Sequence, residues 1–237
     1  MKSRIALTLV AIILSAPLLA AENEDSPWSG KVTLGYLATS GNTENSNLNS
    51  GVEIGRKAGD WMHLANAIAI NATENELTTA EAYELGWKSE WNWTERSFLF
   101  GRLNWRKDRF SGYDTQFSQT VGYGHRLIDT EKHKLNVEAG AGARQSDLAD
   151  GTTEEETIFR GGLNYNWLLS ENAEFRQNFT VEAGSENTYG ESVTAISAKL
   201  VGDLALVASY TVKHNTDVPP LTEKTDTYTA LSLEYGF

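Results

Sequence analysis

Polar and apolar residues alternate along the last segment of the chain, Thr227–Phe237. One set of alternate positions is mainly apolar and the other mainly polar: Thr227, Thr229, Leu231, Leu233, Tyr235 and Phe237, against Asp226, Tyr228, Ala230, Ser232, Glu234 and Gly236. Successive side chains of a strand point to opposite faces, so the segment has one apolar and one polar face. The pattern predicts an amphipathic strand that ends on Phe237.

Similar alternation recurs along the chain without sustained helical periodicity, and it predicts about twelve strands. They lie near residues 28–39, 47–57, 61–73, 79–93, 97–110, 114–128, 134–147, 157–169, 173–186, 193–202, 204–215 and 226–237. A strand of about ten residues, tilted by about 40°, covers the apolar thickness of an outer membrane. Short and longer connections alternate. We therefore expect an all-β fold, a single transmembrane antiparallel β-barrel of up-and-down topology, with both termini in the periplasm.

The two faces of the predicted strands differ in kind. On several strands large aromatic residues oppose charged residues and glycines, which favours a charged lumen and an apolar exterior over a lipocalin-like barrel with an apolar interior. The segment 61–73 is ambiguous, because it has Ala65, Ala67 and Ala69 on one face and Met62, Leu64, Ile68 and Ile70 on the other. The candidate lumen-lining charges are Glu53, Glu84, Lys88, Glu90, Arg102, Arg106, Arg126, Glu138, Arg144, Arg160, Arg176, Glu182, Lys199, Lys213 and Glu234.

These charges leave two possibilities open for the lumen. Eight strands leave an interior that side chains fill, and sixteen or more leave a wide aqueous channel, so twelve lie between. Arginine and glutamate side chains that face each other could pair and narrow the bore. The sequence is equally compatible with a narrow solute channel and with a lumen closed by ion pairs.

Most of the tryptophans fall at one set of strand ends, the ends that this topology places in the periplasm. Indole rings favour the membrane–water boundary because they combine an apolar body with an N–H donor. The alternative, tryptophans that fill an ordinary core, would not favour one set of strand ends. The candidate periplasmic-side aromatic girdle is Trp28, Trp61, Trp91, Trp93, Trp167 and Phe237.

The N-terminus and the composition agree with an exported protein. Lys2 and Arg4 precede a short apolar run and then small residues, which predicts a signal peptide over residues 1–21 and a barrel domain over 22–237. The remaining chain has 18 basic and 32 acidic residues, a formal charge of −14, which disfavours nucleic acid as a partner. Cysteine is absent, and a barrel of this size does not depend on disulfides.

No catalytic or metal-binding motif is found in the sequence. Of the four histidines, His63, His125 and His133 are expected near the periplasmic side and only His214 near the outer end. The acidic segments that we expect in outer loops, such as Glu154–Glu156 and Glu191, match no calcium-loop spacing and indicate a solvated surface. We therefore expect no enzyme activity, no metal and no cofactor.

Several short phrases resemble a known family. They are Gly35-Tyr36, Ser40-Gly41-Asn42-Thr43-Glu44, Ser209-Tyr210-Thr211-Val212-Lys213 and Lys224-Thr225-Asp226-Thr227. They resemble the YdiY-like salt-induced outer-membrane protein family over nearly the whole mature chain. The resemblance implies a barrel whose expression responds to salt or acid, and it implies no solute, activity or cofactor.

Together these features predict a stress-inducible barrel of the Gram-negative outer membrane, exported through the periplasm. It would act as a narrow passive channel or a structural envelope protein; a surface adhesion protein and a barrel hydrolase are the alternatives. The expected partners are outer-membrane lipids and lipopolysaccharide, and the protein is expected to be a monomer. The terminal Phe237 resembles the last residue of bacterial barrels, which implies recognition by the barrel-assembly machinery.

Overall fold

The computed structural model describes residues 26–39, 45–74, 77–108, 113–148, 151–218 and 223–237. These residues form twelve β-strands, and the predicted signal peptide lies outside them. No helix in the described part is long and apolar enough to cross a membrane. The strands are β1 (Trp28–Thr39), β2 (Asn45–Ala58), β3 (Trp61–Glu74), β4 (Leu77–Asn92), β5 (Ser97–Asp108), β6 (Tyr113–Asp129), β7 (His133–Leu148), β8 (Thr153–Ser170), β9 (Ala173–Ala183), β10 (Thr188–Val201), β11 (Leu204–Asn215) and β12 (Thr225–Gly236).

Each strand pairs antiparallel with the next along the chain, and β1 pairs with β12 to close the barrel. The register of this closing seam runs from Lys31 opposite Gly236 to Gly35 opposite Ser232. At its end Gly30 N–H donates to the carbonyl of Phe237 at 2.8 Å, and Phe237 N–H donates to the carbonyl of Gly30 at 2.9 Å. Closure removes the free edges of the sheet. The predicted all-β, twelve-stranded, up-and-down barrel is confirmed.

The two ends of the barrel differ in their connections. The turn end carries both ends of the described barrel wall and the short turns, including Gly59-Asp60 and Gly202-Asp203, whose glycines have φ values of 60° and 54°. Two-residue hairpin turns need such positive φ values, which glycine adopts without steric cost. The loop end carries the other connections, most of which are longer.

Two predicted boundaries are wrong at the loop end. β8 begins at Thr153, four residues earlier than expected, and β10 begins at Thr188, five residues earlier. The β7–β8 ladder continues to Asp147 opposite Thr153, so the acidic residues 154–156 belong to a strand. The high density of acidic residues resembles a loop in the sequence, but their side chains alternate between faces like the rest of β8.

The distribution of polar and apolar residues is inverted relative to a soluble protein. Large apolar side chains cover the outside of the barrel: Phe159, for example, is 69% exposed, whereas Arg144 on the inside is 1% exposed. In soluble folded proteins, charged side chains are rarely buried unless they are paired. This arrangement matches a barrel with lipid outside, and it excludes the lipocalin-like alternative.

Candidate functional site: the barrel interior

Midway along the barrel, Glu138 of β7 binds two cations. It accepts a hydrogen bond from Lys88 of β4 and another, at 2.9 Å, from Nη1 of Arg160 of β8. Nζ of Lys88 also lies 2.7 Å from Glu90, and Glu90 lies 3.6 Å from Nη2 of Arg126. These contacts link four strands in one ion-pair network in which most charges have a partner, which buried charges require.

Nearer the loop end, a second group of contacts reaches across the interior. Nη2 of Arg106 of β5 lies 2.6 Å from Oε2 of Glu182 of β9, four strands away. The guanidinium of Arg106 also stacks on the ring of Tyr189 with 4.0 Å to the centroid. Arg144 binds Glu156 at 2.5 Å and lies 3.9 Å from Glu182. The interior is therefore bridged between β5 and β10 at this level.

The connection between β9 and β10 joins this second group through Asn187, which is fully buried. Its carbonyl accepts a hydrogen bond from Arg144. Its side-chain oxygen accepts bonds from the backbone N–H groups of Thr216 at 3.0 Å and Asp217 at 3.1 Å. Asn187 therefore links β7, the connection between β9 and β10, and the connection between β11 and β12. No sequence motif marks this residue.

Two phenylalanines line the interior and lie against the wall. Phe98 and Phe100 of β5 cover glycines of β6: a Cβ atom added at Gly124 would overlap the Phe98 ring, and one at Gly122 would lie 2.7 Å from the Phe100 ring. Nζ of Lys88 lies 5.3 and 5.4 Å from the centroids of the two rings. The two rings therefore make cation–π contacts with Lys88, and the absence of side chains at Gly122 and Gly124 leaves space for the rings.

The wall formed by β1–β3 carries smaller and less charged side chains on its inner face. β3 resolves the ambiguity of its sequence, because the register of Ile68 with Glu84 places the isoleucine inside and the neighbouring alanines outside. Lys31 and Glu53 form a 3.1 Å pair with side chains that are 35% and 36% exposed. Asn49 donates to Ser232 at 3.1 Å above Gly35.

The aromatic residues predicted at the turn end lie on the outside of the barrel and are exposed. Trp61 stacks on His63 with 5.9 Å between ring centroids, and Trp91 meets Trp93 edge to face at 6.5 Å. His133 stacks on Trp167 at 5.6 Å. The geometry is that of a belt of rings, and its function as a membrane girdle stays a prediction.

The histidines bond to hydroxyl groups. Nδ1 of His63, His125 and His133 lies 2.8, 3.2 and 2.9 Å from the hydroxyl oxygens of Ser89, Ser97 and Tyr165 respectively. Nδ1 of His214 lies 2.8 Å from Oγ1 of Thr225 at the loop end. Among the described residues, no histidine forms an ion pair with a carboxylate, the arrangement that a triad would need.

The predicted lumen charges differ in what they contact. Two further pairs join strands: Arg176 with Glu234 at 3.1 Å, and Lys213 with Glu191 at 3.8 Å. Glu84 lies 3.2 Å from the side-chain nitrogen of Asn104 when that amide is oriented to donate. Lys199 is exposed at the turn end. Arg102 faces the interior and is described below.

Sequence reasoning missed several interior residues. Glu156 and Glu191 were expected in outer loops, but the alternation of β8 and β10 places both on the inner face. Lys31, Tyr189 and Asn187 were also missed. Extending the alternation of each strand by one or two steps toward the loop end would have found Glu156 and Glu191.

The closed sheet, the apolar exterior and the charged interior define a porin-like barrel of the outer-membrane type. The chain belongs to the family described as "Protein of unknown function, DUF481", whose model matches residues 32–237. It is 32% identical over 214 residues to the uncharacterized protein YdiY of Escherichia coli (strain K12), covering 89% of this chain and 83% of that protein. The resemblance to YdiY-like proteins is thus confirmed.

Solved structures show the same fold at low sequence identity. The NanC porin superposes with a TM-score of 0.52 at 10% identity, covering 87% of this chain and 97% of that one. The COG4313 outer membrane channel from Pseudomonas putida F1 gives 0.52 at 8% identity, covering 88% and 94%. The translocator domain of the autotransporter NalP from Neisseria meningitidis gives 0.50 at 13% identity, covering 88% and 86%.

Proposed function

We propose that this protein resides in the outer membrane of a Gram-negative bacterium and acts there as a narrow passive channel for small solutes. The turn end, with its short connections, would face the periplasm, and the loop end would face outward. Export would use the signal peptide predicted from residues 1–21. The resemblance to salt-induced proteins supports expression under salt or acid stress.

The proposal rests on the uneven filling of the barrel interior by side chains. The side chains of Lys88, Glu138 and Arg160 are at most 10% exposed. Ile68, which faces the same interior midway along β3, is 41% exposed. Water therefore reaches the β3 wall at a depth where the ion-pair network excludes it. The passage would run off-centre, between β1–β3 on one side and the network on the other.

A structural envelope role is the second candidate, and the contacts of Arg106 favour it. The guanidinium reaches Glu182 and Tyr189 on strands four and five places away around the barrel. Such bridges stiffen the barrel and narrow its bore. We propose no enzyme activity, since the histidine contacts of the described residues suit an interfacial role better than general-base catalysis.

Recording in planar lipid bilayers separates the two candidates. A passive channel gives small, voltage-independent conductance steps, and Ile68→Trp reduces them because the larger ring fills the passage beside β3. Leu85→Trp, on the outer face, is the matched control and leaves the steps unchanged. A correctly folded barrel that gives no conductance steps at any voltage would contradict the channel proposal and favour the structural role.

A further inference from the structure

Arg102 of β5 differs from the other charges in the middle of the barrel. Its register places it beside Lys88 of β4 and Thr120 of β6, on the inner face. Lys88, Arg126 and Arg160 each form an ion pair at this level. Arg102 forms no ion pair or hydrogen bond with any residue that the structure describes. It is therefore a partly buried guanidinium whose donors are available.

The charges around Arg102 do not balance. Lys88, Arg126 and Arg160 share two carboxylates, Glu90 and Glu138, through direct contacts. Arg102 contacts neither of them, and it interacts with Glu84 and Glu138 only at longer range. Nearer the loop end the imbalance is reversed, because Arg106 and Arg144 meet Glu156 and Glu182, with Glu84 alongside. An uncompensated charge is costly in a confined interior. A bound anion beside Arg102 would remove the excess at the middle level.

A second unsatisfied donor lies on the same cavity. Arg160 is 5% exposed, and its Nε is buried without a hydrogen-bond partner in the described structure. Its Nη2 donates to the hydroxyl of Thr180 at 3.3 Å. Arg102, Arg160 and Thr180 all line a cavity of about 270 Å³ of empty space, part of it open to solvent. The three residues therefore share one solvent-accessible cavity.

Three carboxylates also line this cavity, and each contacts another group. Glu182 binds Arg106, and Glu191 accepts a hydrogen bond from the hydroxyl of Tyr189 at 2.7 Å. Glu84 lies opposite Arg106 in the strand register and 3.2 Å from the side-chain nitrogen of Asn104 when that amide is oriented to donate. The cavity shares Glu84, Arg106 and Tyr189 with a neighbouring cavity of about 450 Å³ of empty space at the loop end.

We propose that Arg102 and Arg160 form a binding site for a small oxyanion in the middle of the barrel. A guanidinium presents paired N–H donors that match the oxygens of a phosphate, sulfate or carboxylate group. Arg102 supplies a charge without a direct partner, and Arg160 supplies a second guanidinium whose Nε has no hydrogen-bond partner in the described structure. If the barrel conducts, this site indicates that small oxyanions are among its solutes, and that part of the inference rests on the proposed function. Binding of the anion does not itself require conduction.

The test uses the refolded full-length barrel and inorganic phosphate as the probe. Binding broadens the ³¹P resonance of phosphate in proportion to the bound fraction. Arg102→Gln weakens the apparent affinity about tenfold or more, because it removes a charge-assisted contact to the anion. Arg56→Gln removes the same charge from the outer surface and leaves the line width unchanged. Equal broadening in both variants would mean surface association only and would overturn the site.

Arg102 has no partner to lose, so its replacement leaves folding intact, and Arg102→Lys, which keeps the charge, retains part of the binding. Current recordings keep this proposal separate from the channel proposal. In a conducting barrel, phosphate reduces the chloride current of the wild type and not that of Arg102→Gln. Phosphate binding by a barrel that does not conduct contradicts the channel and supports the site. Conduction without any phosphate-dependent broadening contradicts the site alone.

Discussion

Removing the carboxylate of Glu138 tests whether the interior network stabilises the barrel. Glu138→Gln keeps the shape of the side chain and an acceptor oxygen, but it removes the charge that faces Lys88 and Arg160. Loss of one partner from a buried ion pair typically costs 3–5 kcal/mol. Lys88 keeps the carboxylate of Glu90 at 2.7 Å, whereas Arg160 keeps no carboxylate partner and retains the hydroxyl of Thr180 at 3.3 Å. We therefore expect the low end of that range, about 3 kcal/mol.

The free energy of unfolding is measurable by urea titration of the barrel refolded into lipid vesicles, with tryptophan fluorescence as the signal. Glu53→Gln is the matched control, because the pair of Glu53 with Lys31 is more than one-third exposed and such pairs contribute about 0–1 kcal/mol. The double variant Glu138→Gln, Arg160→Gln is expected to cost less than the sum of its parts, since it also removes the orphaned charge. Equal, small losses for Glu138→Gln and Glu53→Gln would refute the reasoning.

Two further predictions concern the wall and its outer face. Gly124→Ala places a methyl group against the Phe98 ring and should cost about 1–3 kcal/mol in the same titration; Gly101→Ala, with open space around its Cβ position, should change it by less than about 0.5 kcal/mol. Trp87→Phe should reduce quenching by bromine placed deep in the acyl chains, and Trp93→Phe should reduce quenching by bromine near the headgroups. Identical depth profiles for the two variants would show that the rings do not form a belt at one end.

The alternation of side chains along each strand was enough to predict the closed fold and much of the inner face. Glu138 and Arg160 lie in strands where charged residues or glycines oppose large aromatic or aliphatic residues, so their parity is unambiguous. The outward face of β3 was not predictable, because alanine is compatible with lipid and isoleucine is compatible with a wall that carries no charge. Only the register with β4 places Ile68 inside.

The sequence could not predict which charged side chains pair with each other, for a different physical reason. Lys88 and Glu138 are three strands apart, and Arg106 and Glu182 are four strands apart. Which side chains meet across the interior depends on the tilt and stagger of the whole barrel, and strand-level patterns do not contain either quantity. For the same reason, the lack of an ion-pair partner for Arg102 can be recognised only when the contacts of the other cations are known from the structure.

The central claim is that the apolar face of each strand contacts lipid while the charged face lines a wet interior. The chain contains no cysteine, so single cysteines carrying a nitroxide label can be placed at each position from 62 to 70 along β3, the wall that water reaches. Spin-relaxation measurements then compare access to oxygen, which concentrates in lipid, with access to a water-soluble nickel complex. The account predicts a period of two, with odd positions favouring oxygen and even positions favouring nickel. The opposite phase, or no alternation, would contradict it.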